Sequence, residues 1–154
     1  MKRCMFTGHR KIDARDVKML PAWLDEQIEQ LIEQGYTDFC AGGAMGFDTL
    51  AALKVLEKKE KYGFIKLHLY LPCHSQTKFW SESFKRAYQY VLERADSAWY
   101  ASEEYTRGCM QRRNRAMVDA SDVCLAYCNG SSGGTRYTVS YAEKHGIKVI
   151  NYCK

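Results

Sequence analysis

Short apolar runs alternate with longer segments of helical periodicity from one end of the chain to the other, the arrangement that a mostly parallel open sheet with helices on both faces requires. Arg3–Phe6, Thr37–Ala41, Ile65–Leu71, Ser97–Tyr100, Asp122–Tyr127 and Lys148–Tyr152 read as strands. Between the first two, Leu20, Leu24, Ile28, Leu31 and Ile32 recur at helical spacing until Gly35 stops the run. Pro21 belongs in a first helical turn, so the residues before it form a separate turn. Further helices are expected over 47–59, 80–94 (with Phe84, Tyr88, Val91 and Leu92 on one side), 106–118 and from Thr135 through Ala142. The four acidic groups of residues 21–35 read as a solvated face.

A chain of 154 residues with 46% hydrophobic and 27% charged residues has the profile of one domain spanning 1–154. At that size folding buries roughly 70% of the surface, enough for a core without crosslinks. The seven cysteines are odd in number and include no Cys-x-x-Cys pair, which suits reduced thiols and a cytoplasmic location. No window holds the ~18 apolar residues of a membrane span. The net charge of +5 favours anionic partners without naming one.

Ligands of open parallel sheets bind beyond the carboxyl ends of the strands, and four such places carry distinctive residues. They are Thr7-Gly8-His9-Arg10, the run Gly42-Gly43-Ala44-Met45-Gly46-Phe47-Asp48, Pro72-Cys73-His74, and Gly130 through Thr135. Glycines admit a phosphate close to the backbone, and a helix that starts just after them offers free N–H groups and the positive end of its dipole. Neither glycine loop is a Walker loop or a Gly-x-Gly-x-x-Gly fingerprint. A purely geometric role for glycine in a strand-to-helix turn is the competing reading for each loop. In the helix from Thr106, Arg113 and Asn114 fall nearest the sheet, and Arg112 and Arg115 are lateral. An arginine there needs an anion such as phosphate; the competing reading is a solvated face paired with Glu103 or Glu104. His68, Cys73 and His74 lack a fourth ligand at zinc spacing, Cys73 lacks a base partner, and the tyrosines read as packing.

Taken together, Thr7-Gly8-His9-Arg10, Phe39 through Asp48, Leu71-Pro72 with Gln76 and Trp80, Arg113-Asn114 with Met117-Val118-Asp119, and Gly133-Gly134-Thr135 with Tyr141-Ala142 resemble the YpsA/YspA-like branch of the SLOG superfamily. The resemblance covers nearly the whole chain, in order. It implies a three-layer, Rossmann-like α/β sheet, and kinship with the lonely-guy phosphoribohydrolases and the Rossmann domain of DNA-processing protein A. Lonely-guy enzymes carry a glutamate where this chain has Thr138, and the lysine after their helix arginine is Asn114 here, so their hydrolysis of nucleoside 5′-monophosphates is in question.

The expected function is binding of a nucleotide or nucleotide-derived ligand, such as ADP-ribose or a mononucleotide, at the carboxyl edge of the sheet. Thr7, Gly8, His9 and Arg10 would form one wall, and Gly42, Gly43, Ala44, Met45 and Gly46 a phosphate loop with Asp48 ordering it or binding ribose. Pro72, Arg113, Asn114, Gly133, Gly134 and Thr135 would complete the site, with no metal. The enzymatic alternative is N-glycosidic hydrolysis with His9 or Asp48 in place of the glutamate. Single-stranded nucleic-acid binding ranks last, because the basic residues are scattered. Trp23, Trp80 and the tyrosines leave surface for a homo-oligomer.

Overall fold

A computed structural model of the chain describes residues 2–153. Its strands are β1 (Lys2–Gly8), β2 (Tyr36–Ala41), β3 (Lys66–Leu71), β4 (Ser97–Tyr100), β5 (Val123–Tyr127) and β6 (Lys148–Asn151). They pair in parallel throughout, in the order β4-β3-β2-β1-β5-β6. The chain therefore builds outward from β1 to β4, returns, and sets β5 against the other side of β1. That reversal puts a crevice beyond the carboxyl ends of β1 and β5, where open α/β sheets bind their ligands.

Helices α1 (Leu20–Glu33), α2 (Phe47–Tyr62) and α3 (Glu82–Arg94) cover one face, and α4 (Cys109–Asp119) and α5 (Gly134–Lys144) the other. Alternation along the strands sorts the two cores. Cys4, Phe6, Phe39, Leu67, Leu69 and Leu125 meet Leu20, Leu24, Ile28, Ala51 and Val55 on the first face. Met5, Cys40, Cys124 and Ala126 meet Met117, Val118 and Ala142 on the second. Each fully buried leucine or isoleucine of α1 contributes about 1.5–3 kcal/mol of transfer free energy, which holds that helix against β1 and β2.

Several boundaries differ from those read in the sequence. The turn before Pro21 is a 3₁₀ piece at Ala14–Asp16, with the Asp13 carboxylate accepting from Arg15 N–H. Helix α4 starts at Cys109, not Thr106, because Gly108 takes a left-handed conformation (φ 82°) that interrupts the right-handed helical backbone before it. Helix α3 starts at Glu82 after the extended Ser81, and its Phe84 is exposed: only Val91 is fully buried, because α3 lies over the end of the sheet. The acidic stretch of α1 is not merely solvated. Asp25 and Glu29 lie 2.9 and 2.7 Å from the ammonium of Lys58 on α2, itself only 7% exposed. Tyr62 donates to Glu29 as well, and these bonds hold its carboxylate down to about 2. Trp23 and Trp80, both half-buried, pack edge-on against Tyr152 and Tyr88 of their own chain. Among the described residues no helix is long and apolar enough to cross a membrane.

Candidate functional site

Beyond the carboxyl ends of β1 and β5 lies a cavity of about 420 Å³, within the usual size of small-molecule sites. Its walls are Thr7, Gly8, His9 and Arg10 after β1, Ala44 and Asp48 at the start of α2, Arg113 and Asn114 on α4, and Gly133, Gly134 and Thr135 at the start of α5. Five expected residues do not line it: Gly42, Gly43, Met45, Gly46 and Pro72.

The physical reason is that the first glycine loop is closed onto itself. The Ala44 N–H points at Asp48 Oδ2 (3.4 Å), Thr49 Oγ1 donates to Ala44 O (2.9 Å), and the first N–H of α2, on Phe47, donates to His9 O (3.2 Å). Gly46 has φ 77° and packs its Cα against the backbone of His9 and Arg10, where no side chain fits. Its glycine is therefore required by loop-to-loop packing. The second loop is different. Gly133 and Gly134 have open space where a side chain would stand, and no side chain caps α5. The N–H groups of that first helical turn have no acceptor within the helix. Of the two glycine loops, the one leading into α5 is the one shaped to receive an anion from the cavity.

His9 ties two walls together. Its Nε2 accepts from the N–H of Asn129 in the loop after β5 (3.0 Å), its own N–H donates to Tyr127 O (3.2 Å), and its ring stands edge-on to Tyr127. Arg10 is exposed at the rim. Thr138 is fully buried in α5 and donates its hydroxyl to Gly134 O (2.8 Å), so it faces helix backbone rather than the cavity.

Arg113 is 6% exposed, as its position nearest the sheet requires, yet its direct partners are neutral. Nη1 donates to Gly42 O and Tyr70 O (3.4 Å), and Nε to Asn114 Oδ1 (2.7 Å). Neither Glu103 nor Glu104 pairs with the arginines of α4; Arg112 instead reaches Ala101 O and Thr106 Oγ1, bracing the loop before the helix. Burial pulls the Arg113 guanidinium below its ordinary value. Asp48 is equally buried at 6% exposure. Desolvation pushes its carboxyl up to about 6, against the pull of Arg113, the Ala44 N–H and Arg10. One of its oxygens, Oδ1, is buried with no hydrogen-bond partner.

Sequence reasoning missed Phe6, Met110, Gln111, Met117 and Ser132 as cavity lining. Met110 lies one turn before Asn114, and Ser132 immediately precedes Gly133, so helical spacing and loop adjacency were the available signals. The His68 ring bridges Ser97 Oγ (2.6 Å) and Asp38 Oδ2 (2.7 Å) on the sheet face, away from this cavity.

Comparisons with known proteins agree with this architecture. The chain is 34% identical over 130 residues to the SPbeta prophage-derived protein YoqJ of Bacillus subtilis (strain 168), covering 76% of each chain. It is 26% identical over 162 residues to the UPF0398 protein of Bacillus pumilus (strain SAFR-032), covering 99% of this chain and 87% of that one. In fold it resembles DNA processing protein A of Helicobacter pylori, a protein studied for its single-stranded DNA binding mode (TM-score 0.70, 17% identity). The counterpart from Streptococcus pneumoniae is similar too (TM-score 0.67, 18% identity). Both likenesses cover 97% of this chain, which spans only 64% and 50% of those two chains. Residues 4–152 match the family model of the YspA SLOG family, and the chain belongs to that family.

Proposed function

We propose that this protein binds a phosphorylated small molecule, a nucleotide or nucleotide-derived ligand such as ADP-ribose or a mononucleotide, in the cavity beyond the carboxyl ends of β1 and β5. The observation that carries the reading is the open N-terminus of α5. Gly133 and Gly134 leave room for a phosphate against unpaired N–H groups, in a cavity whose rim holds Arg10. Arg10 and Arg113 against the single carboxylate of Asp48 make the lining cationic, which suits an anionic ligand. Because the first glycine loop is closed, the phosphate-binding part belongs to the second loop alone.

Calorimetric titration against a panel of mononucleotides, dinucleotides and ADP-ribose tests this directly. The expected result is at least one ligand bound tighter than about 1 mM; a panel with none rejects the reading. A second reading is binding of single-stranded nucleic acid, favoured by the fold shared with a DNA-binding protein at 17% identity. It predicts affinity that falls steeply with salt as phosphates displace counterions. Flat or absent binding of an oligonucleotide at low salt removes it.

A further inference from the structure

On the face of the sheet that α4 and α5 cover, Met5, Cys40, His68 and Ser97 stand in one row across β1 to β4. The helices bury Met5 and Cys40 and leave Ser97 to solvent. Asp38, two residues before Cys40 on β2, shares that face. The result is a chain of hydrogen bonds running from interior to surface, since Asp38 is buried, His68 half-buried and Ser97 exposed. Asp38 Oδ2 lies 2.7 Å from His68 Nε2, and His68 Nδ1 lies 2.6 Å from Ser97 Oγ. None of the three lines the cavity beyond β1 and β5.

The bonds fix where the protons are. Against the desolvation of burial, hydrogen bonds from Thr37 Oγ1 (2.6 Å) and His68 hold the Asp38 carboxyl below its ordinary range, so at neutral pH it is an anion that only accepts. His68 Nε2 therefore carries a proton and donates to it. In the neutral ring Nδ1 is then the lone-pair site, and it accepts from the Ser97 hydroxyl. A serine that donates to an imidazole oriented by a buried carboxylate is an activated nucleophile, whichever order along the chain supplies the three groups.

Two neighbouring features suit that chemistry. Strand β4 ends the sheet, so one row of its backbone groups has no strand partner. The Asp96 N–H turns inward to Leu67 O on β3 (2.8 Å), so by alternation the Ser97 N–H turns to the open edge, a donor for an oxyanion formed at its own Oγ. Tyr70 and Trp99 pair two residues further along the same face, with ring centroids 5.7 Å apart. Trp99 is 44% exposed, and the two rings offer an apolar platform for an acyl or aryl group.

We propose that Ser97, His68 and Asp38 form a second site, independent of the nucleotide cavity, that hydrolyses small carboxylic esters carrying an apolar acyl or aryl group. Ser97 Oγ attacks the carbonyl carbon while its proton passes to His68 Nδ1. The bond to the alcohol oxygen breaks, and the alcohol leaves with that proton. Water then attacks the acyl–Ser97 carbonyl and gives a proton to Nδ1; the acid departs, and Ser97 Oγ takes the proton back. One ester and one water become one acid and one alcohol. Asp38 acts through His68, as a positioning residue.

The test uses the intact protein with two probes, 4-nitrophenyl acetate for turnover and an alkyl fluorophosphonate for covalent labelling. The expected label is one phosphonyl group per chain, mapped by peptide mass to Ser97, with fluoride released. Ser97→Ala, a surface change that leaves the circular dichroism spectrum unaltered, is expected to abolish the label and lower kcat/KM at least tenfold. His68→Gln is expected to slow labelling at least tenfold, and Asp38→Asn to lower kcat by a similar factor with KM unchanged. No adduct at Ser97 in the wild type overturns the proposal, and that result stands even where a variant fails to fold. Turnover unaffected by Ser97→Ala, or labelling at the wild-type rate in folded His68→Gln, overturns it as well, and each leaves the nucleotide reading untouched.

Discussion

Asp48 and Arg113 approach Gly42 together without pairing with each other. A methyl group added to Gly42 would stand 2.8 Å from Asp48 Oδ2 and 2.7 Å from Arg113 Nη1, yet no ion pair within 4.0 Å joins the two side chains. The glycine acts as a spacer whose carbonyl accepts from the arginine. Gly42→Ala should therefore push both charged groups apart and destabilise the fold by about 1–3 kcal/mol, read as a lower thermal midpoint.

The two glycine loops should respond differently to substitution. Gly46→Ala forces a side chain into the backbone of Arg10 at a positive φ, so it should abolish folding or lower the thermal midpoint severely. Gly134→Ala meets nothing and sits in a helical first turn, so stability should hold within about 0.5 kcal/mol. Under the proposed function, the same Gly134→Ala substitution should weaken nucleotide binding by at least tenfold, because its methyl group stands where the phosphate would approach. Unfolding curves and titrations on both variants check the contrast.

Asp48 gives the fold a pH dependence of known sign. Its folded value of about 6 lies above the ordinary 3.8, so the folded protein holds a proton that the unfolded chain has released between those values. Stability from this group is greatest below about pH 4 and is lost as pH rises through 6, by roughly 3 kcal/mol. Wild type should therefore lose stability relative to Asp48→Asn between pH 4 and 6. Denaturant midpoints of the two proteins across that range measure the difference, and a constant offset would argue against the buried carboxylate.

The clamp between α1 and α2 has the opposite sign. Glu29, held near 2 by Lys58 and Tyr62, contributes stability above its ordinary 4.5 and loses it as pH falls from 4.5 toward 2. Lys58→Met should remove most of that acid sensitivity. At neutral pH it should cost roughly 1–2 kcal/mol, less than a fully buried pair, since Asp25 is 44% exposed. Acid unfolding followed by circular dichroism checks both.

Much of this was legible in the sequence, for reasons that particular residues make plain. The short apolar runs of the strands and the α1 stripe from Leu20 to Leu31 identified the elements and the buried face of α1, because burial alone dictates those patterns. Arg113 could be placed nearest the sheet from helical angles alone. What could not be read was whether a glycine serves a ligand or a neighbouring loop. Gly46 and Gly133 look alike in sequence, and only the approach of Arg10 to one and open space beside the other separate them. The pairing of Asp25 and Glu29 with Lys58 was hidden for the same reason: the partner lies about thirty residues away on another helix.

The proposed nucleotide sits beyond the carboxyl ends of β1 and β5, against the first turn of α5. Amide chemical-shift mapping by NMR during titration with ADP-ribose tests it most directly. Shifts are expected to concentrate at Gly8–Arg10, Ala44, Asp48 and Gly133–Thr135, with β4 and the far ends of the strands unmoved. Shifts centred on the β3–β4 face around His68 and Trp99, or no shifts at millimolar ligand with ADP-ribose or any mononucleotide, would contradict it.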